Sequence, residues 1–191
     1  MAVRSRTRRP VAEPPPGLFT DKDLQADPVE VGKQIILRQL SHSPKTRHQL
    51  AEALRARDVP ESAATAALDR IAELGYIDDA AFARAWVESR HRSKGLSESA
   101  LRRELVQRGV EPATVDEALL AIDADSEREA AAGLVAKKLR SMRGLDRDAK
   151  TRRLVGLLGR KGYPSGMAFS VVREALASAD SAATDADVTS D

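Results

Sequence analysis

The chain has 191 residues, a formal net charge of +2 and no cysteine, with 31% charged and only 3% aromatic residues. Without thiols there is no disulfide or thiolate chemistry, no apolar run reaches the length of a membrane span, and no signal-peptide core follows the basic start. A soluble cytoplasmic protein is expected, and the dominance of Ala, Leu, Arg and Glu favours helix throughout.

Residues 1–27 open with Arg4-Ser5-Arg6-Thr7-Arg8-Arg9-Pro10 and continue through Pro14-Pro15-Pro16-Gly17, without apolar periodicity. They are expected to be a disordered basic, proline-rich tail. From residue 28 a helical unit begins, and it recurs three times. Leu50 and Leu54, Leu101 and Leu105, and Leu154 and Leu158 each stand at i and i+4. Five residues after each pair comes an apolar turn residue, Val59, Val110 or Tyr163, in steps of 51 and 53 residues. Upstream stand Val31 and Ile35, Phe82 and Trp86, and Val135 and Leu139; downstream stand Leu68, Leu119 and Val172. A fixed period with matching apolar positions marks an array of supersecondary units, here three short amphipathic helices per unit. The units are placed at 28–77, 78–125 and 126–179. Residues 180–191 hold four acidic and no basic side chains and are expected to be a disordered acidic tail.

Helix ends are written plainly. Thr46 with Gln49 has capping-box spacing. Asp58 stands where the first unit's second helix ends, a place where a left-handed residue is strained but tolerated. Gly75 suits a left-handed cap after Leu74, with Tyr76 folding back on Ile71. Asp78 is the next N-cap, with Ile77 and Phe82 spaced as a hydrophobic staple. Ser97 repeats the device, with Leu96 against Leu101. Gly109 and Gly162 follow the second helices of units two and three, and Pro112 fits a first helical turn.

Charge is unevenly distributed. Residues 126–179 hold twelve basic and five acidic side chains. Lys137, Lys138, Arg140 and Arg143 end one helix, Arg147, Lys150, Arg152 and Arg153 begin the next, and Arg160 and Lys161 end it. Arg147 and Lys150 near a helix N-terminus oppose its dipole, which suggests selection for a partner. Such a field attracts phosphate or an acidic protein surface; the alternative is a solvated face balanced by neighbours.

Catalytic signatures are missing from the sequence. His42, His48 and His91 lack metal-ligand spacing. Asp78 and Asp79 read as helix-capping acids. Gly156, Gly159 and Gly162 follow no strand and precede no Lys-Ser/Thr, as a phosphate loop would. Phe82 and Trp86 could stack bases, but their register with the other first helices places them in the core. No second helix carries the side-chain cluster that reads base edges. No enzyme activity, metal or cofactor is expected.

Leu74-Gly75-Tyr76-Ile77-Asp78-Asp79-Ala80-Ala81-Phe82-Ala83 resembles the central signature of the RecX family of bacterial regulators. So do Gly95, Ser97 through Leu105, Arg108-Gly109-Val110 and the helix around Glu117-Ala118-Leu119. Leu40–Leu54 and Leu154–Tyr163 match the flanking repeats more loosely, and Asp58 departs from the usual glycine. The resemblance covers about residues 29–178. It implies an all-α protein of three tandem three-helix repeats, an elongated, curved array. It implies binding to RecA along the groove of the RecA–single-stranded DNA filament, with less ATP hydrolysis, strand exchange and SOS co-protease activity by RecA. A monomer is expected. The alternative is autonomous, weak binding to single- or double-stranded DNA through the third repeat.

The expected working surface comprises Arg84, Arg90, Arg92, Lys94 and Arg103 of the second unit, with Lys137, Lys138, Arg140, Arg143, Arg147, Lys150, Arg152, Arg153, Arg160 and Lys161 of the third. Neither tail has core formers. Removing residues 1–27 and 180–191 together is therefore expected to leave helix content and the thermal transition nearly unchanged, as circular dichroism would register.

Overall fold

The computed structural model describes residues 27–142 and 144–188, with side chains as far as Ser181. Those residues form nine α-helices and no strand. In chain order they are α1 (Pro28–His42), α2 (Arg47–Arg55), α3 (Glu61–Glu73), α4 (Asp79–Lys94), α5 (Glu98–Val106), α6 (Pro112–Leu119), α7 (Ala124–Leu139), α8 (Arg147–Arg160) and α9 (Ser165–Val188). The all-helical expectation, three groups of three, is met. The first tail, up to residue 26, lies outside the described residues. At the other end α9 continues as helix through residue 180, where the acidic tail is expected to start, to Val188. The alanine-rich sequence there supports helix despite its lack of core formers.

The caps at Thr46, Asp78 and Ser97 form where the sequence places them, and the structure adds Asp27, Asp123 and Asp146. Asp27, Asp78, Ser97, Asp123 and Asp146 each accept a first-turn backbone N–H with the side chain. The Thr46 capping box closes reciprocally, with both bonds at 3.2 Å. After α3 the Tyr76 N–H donates to the Ile71 carbonyl at 3.2 Å, yet the Tyr76 ring stays exposed rather than folding back.

The chain divides into two compact units. One holds α1, α3 and α2 from Leu50 onward; the other holds residues 44–49 and everything from Ile77. In the first, α1 packs against α3. A Cβ on Gly32 would stand 2.9 Å from the Ala67 Cβ, so the missing side chain lets the two helices close. Ile36, Leu50, Leu54, Leu68 and Ile71 are buried there. In the second unit, Ala83, Val87, Leu101, Leu105, Val110, Val115 and Leu119 form one core. Ala131, Val135, Met142, Leu154, Leu158, Tyr163, Val172 and Leu176 form another.

The six leucines of the second helices are fully buried, as expected. The first helices differ. Val31, Ile35, Phe82, Trp86 and Leu139 are only half-buried. The inward positions are Gly32 and Ile36, Ala83 and Val87, and Ala131 and Val135. The expected stripe is thus off by one residue in α1 and α4 and by one turn in α7. The first and third helices of each group pack closely, which only a small residue allows at the crossing, and the bulky neighbours are turned to the edge.

Within the second unit the same joint occurs twice. Thr46 and Ser97, which cap α2 and α5, are the two fully buried polar side chains among the described residues, each 0% exposed. The Thr46 hydroxyl donates to the Arg108 carbonyl at 2.6 Å, and the Ser97 N–H donates to the Lys161 carbonyl at 3.1 Å. A carboxylate on the next first helix accepts the neighbouring N–H: Asp79 from Arg47 and Glu127 from Glu98, each at 2.8 Å. At the second joint Ser99 also donates to the Gly162 carbonyl, and the Tyr163 hydroxyl donates to the Gly95 carbonyl at 3.2 Å. Burial, with the Glu127 charge adding to it, pushes the Tyr163 hydroxyl up to about 12, so it stays protonated.

The turns that receive these caps need glycine. Gly109 has φ +71 and Gly162 φ +90, and a Cβ on Gly109 would lie 2.1 Å from the His48 Cγ. Asp58 holds the corresponding place after α2 at φ 56. Gly109→Val is expected to destabilise by more than about 1 kcal/mol, because backbone strain and the His48 clash act together. Asp58→Gly is expected to be neutral or mildly stabilising. Urea melts of the two variants check both.

Candidate nucleic-acid and partner interface

The basic side chains singled out in the sequence fall into distinct settings. Four converge. Lys138 in the last turn of α7 and Arg152, Arg153 and Arg160 along α8 line an open groove of about 400 Å³, with Leu157 among them. Eight residues separate Arg152 from Arg160, so the charged rim follows α8 for about 12 Å at the helical rise of 1.5 Å per residue. Leu154 and Leu158 point into the core from the same helix and fix which face of α8 looks outward. Among the described residues none of the four cations forms an ion pair with a carboxylate. The Asp146 carboxyl is held below its usual range mainly by the Ala149 N–H, with the Arg152 charge a lesser cause. Four like charges held close together without a salt bridge make a local positive field that an anion can relieve.

The other expected residues are placed differently. Arg147, near the N-terminus of α8, pairs with Asp180 of α9. That intrachain partner accounts for a cation at the unfavourable end of the dipole. Lys161 donates to the Lys94 carbonyl at 2.8 Å, within the second joint. Arg103 lies beside the same joint, its guanidinium 3.3 Å from the Ser99 hydroxyl. Arg92 pairs with Glu88 one turn back. Lys150 is half-buried, while Arg84, Lys94, Lys137 and Arg140 are exposed. Arg143 lies outside the described residues.

Arg90 belongs to a stacked cluster. Its guanidinium lies 4.1 Å from the Trp86 ring centroid, and that of Arg108 lies 3.7 Å from it. Phe82 stacks on the same ring at 5.6 Å, and the indole N–H donates to Glu104 at 2.8 Å. Burial pulls the Arg108 guanidinium below its usual pKa, the Glu104 charge opposes that, and Arg90 adds to it. Arg108 also donates to the Glu104 carbonyl at 2.6 Å. Trp86 is therefore a half-buried ring among cations, neither an open stacking platform nor the core residue expected from its register.

Two contributors escape the sequence. Leu157 lines the groove but reads as one more apolar residue in a leucine-rich helix. Arg108 carries no periodic signal, since it lies in the turn after α5 and meets Trp86 only through tertiary folding.

Family models for the three-helix domains of RecX match the chain in order: the first over residues 33–70, the second over 78–119 and the third over 125–172. The regulatory protein RecX of Streptomyces coelicolor is 57% identical over 150 residues, covering 78% of this chain and 80% of its own length. That of Thermobifida fusca is 44% identical over 163 residues, covering 85% and 86%. The crystal structure of RecX from Lactobacillus salivarius superposes with a TM-score of 0.69 at 19% identity, covering 78% of this chain and 97% of that one. The last likeness concerns the fold.

The Trp86 cluster makes a measurable distinction between its two cations. Arg108→Ala is expected to cost about 1 kcal/mol or more, as a desolvated cation–π contact with an added hydrogen bond does. Arg90→Ala, at the more accessible face, is expected to cost less. Chemical denaturation followed by Trp86 fluorescence ranks the two.

Proposed function

The chain belongs to the RecX family of regulatory proteins, and we propose that it binds RecA and RecA–single-stranded DNA filaments and restrains RecA. The restrained activities are ATP hydrolysis, strand exchange and the co-protease activity of the SOS response. What supports this reading is the ordered match of all three RecX three-helix domains along one chain. The units at 28–77, 78–125 and 126–179 act as a cytoplasmic, non-catalytic, monomeric modulator. No helix among the described residues is long and apolar enough to cross a membrane.

The physical mechanism is differential binding. A protein with several separate contact surfaces can touch more than one filament subunit. Contacts joined in one chain act at high effective concentration, so each can be modest. Binding that favours one filament geometry shifts the filament toward it. Of the basic residues, the contact surface is the groove set, Lys138, Arg152, Arg153 and Arg160, with exposed Arg84, Lys137 and Arg140 contributing to the field. Arg147 and Lys161 are held by the chain itself.

Arg152→Glu, Arg153→Glu and Arg160→Glu combined are expected to spare folding, because all three side chains are exposed. The variant is expected to inhibit the ATPase of preformed RecA filaments at least tenfold less than the parent, most visibly at low salt. Full inhibition by the variant at low salt would move the contact surface elsewhere. A parent protein that leaves the RecA ATPase unaffected would remove the reading itself.

A further inference from the structure

We propose that the acidic corner between α6 and α7, built around Leu120, docks into the α7–α8 groove of a second copy of this chain. The docking stands on the two surfaces themselves. Its consequence, that association covers the groove and withholds it from RecA, rests on the proposed function.

The corner is an unusual piece of surface. Leu119 and Leu120 follow one another where α6 ends. Leu119 is buried, whereas Leu120 is 82% exposed, the most exposed large apolar side chain among the described residues. From Glu111 to Glu127 the chain carries no basic residue. Asp116 pairs with Arg102, and Glu127 serves the second joint. Glu117, Asp123 and Asp125 are exposed and, among the described residues, form no ion pair. Glu117 precedes Leu120 by three residues and Asp123 follows it by three, so carboxylates flank the leucine on both sides.

The groove is the inverse of this corner. Lys138, Arg152, Arg153 and Arg160 surround Leu157, and no carboxylate lines it. Docking sets leucine on leucine and carboxylates on cations, so potential and apolar surface match together. A small anion would answer the charge and leave both leucines in water. The occupant comes from another molecule because α7 keeps the two surfaces apart. That helix has 16 residues and is about 24 Å long at the helical rise. Leu120 stands just before its start and Lys138 in its last turn. The contact joins different surfaces on the two copies, so a pair still has one free corner and one free groove. It is also smaller than a standard protein interface, so the dilute protein is a monomer and copies associate as concentration rises. The monomer, with its groove open, is the acting form.

Sedimentation velocity of the full chain tests this from about 10 µM to about 1 mM, the range suited to so small a contact. At low salt the apparent mass is expected to rise by roughly half or more, and to return to the monomer in about 1 M salt, where the Debye length is roughly 3 Å. A corner variant combines Glu117→Gln, Leu120→Ser and Asp125→Asn, all at exposed positions. A groove variant combines Arg152→Glu, Arg153→Glu and Arg160→Glu. Circular dichroism checks that both fold. Each alone is expected to remain a monomer. Mixed, they are expected to form a pair and stop there, because the corner variant keeps its groove and the groove variant keeps its corner.

A parent that stays monomeric over the whole range overturns the proposal. So does assembly by either variant alone, or a mixture that fails to pair. Assembly that vanishes on nuclease treatment makes nucleic acid the occupant and overturns it too. The ATPase of RecA filaments reads the consequence. The corner variant is expected to inhibit as the parent does when dilute, and severalfold more per molecule where the parent is assembled. Equal inhibition by the two at that concentration overturns the withholding of the groove. A parent that assembles and never inhibits RecA overturns the proposed function and leaves the docking standing.

Discussion

Everything in the second unit hangs on a polar cap buried at a joint. Thr46 and Ser97 are small hydroxyl residues, fully enclosed, in positions where helices usually meet water. A buried hydroxyl without partners would cost free energy. Here each cap residue serves two helices, satisfying an N–H of its own helix and reaching a carbonyl in the turn that ends the following second helix. That turn can approach only because Gly109 or Gly162 carries no side chain. Hydroxyl, glycine turn and acidic acceptor form one constraint, and removing any member leaves the other two unsatisfied or crowded. The joint therefore specifies register as well as contributing stability, since a displacement by one residue would leave an enclosed hydrogen-bonding group without a partner.

This division of labour explains how a chain with so few aromatic residues holds together. Each core is made mostly of aliphatic side chains, and the first helices bury small residues, Gly32, Ala83 and Ala131. Trp86 is kept at the edge, between two guanidinium groups, while the buried Tyr163 ring sends its hydroxyl into the joint. Arginine accordingly has three employments: packing on a ring, pairing with a carboxylate as Arg102 does with Glu98 and Asp116, and standing without a salt bridge in the α7–α8 groove. Only the third leaves charge available to a partner. Counting basic residues along the sequence does not separate these cases.

The fold was largely legible because its signals are local. Leucines at i and i+4, a capping box at Thr46 and a glycine at 109 each fix backbone geometry within a few residues. The inward face of the first helices was misread because periodicity weighs large apolar residues, whereas Gly32, Ala83 and Ala131 are selected for being small. The site was legible in composition and obscure in detail. Asp180 lies 33 residues from Arg147 and neutralises it, and the Arg108 turn meets Trp86 from another element; pairings of that kind depend on three-dimensional packing. What the sequence does carry is the excess of charge in residues 126–179, and part of that excess gathers in one groove.

The second helix of the last repeat is longer than its counterparts. Counting back from the paired leucines, Lys150 stands where Thr46 and Ser97 stand, and α8 runs a further turn to its cap at exposed Asp146. The enclosed hydroxyl is thus replaced by a long cation, with an acidic cap one turn upstream of it. The lengthened α8 therefore exchanges an enclosed joint for a solvent-facing first turn, and the same helix is left to display its arginines.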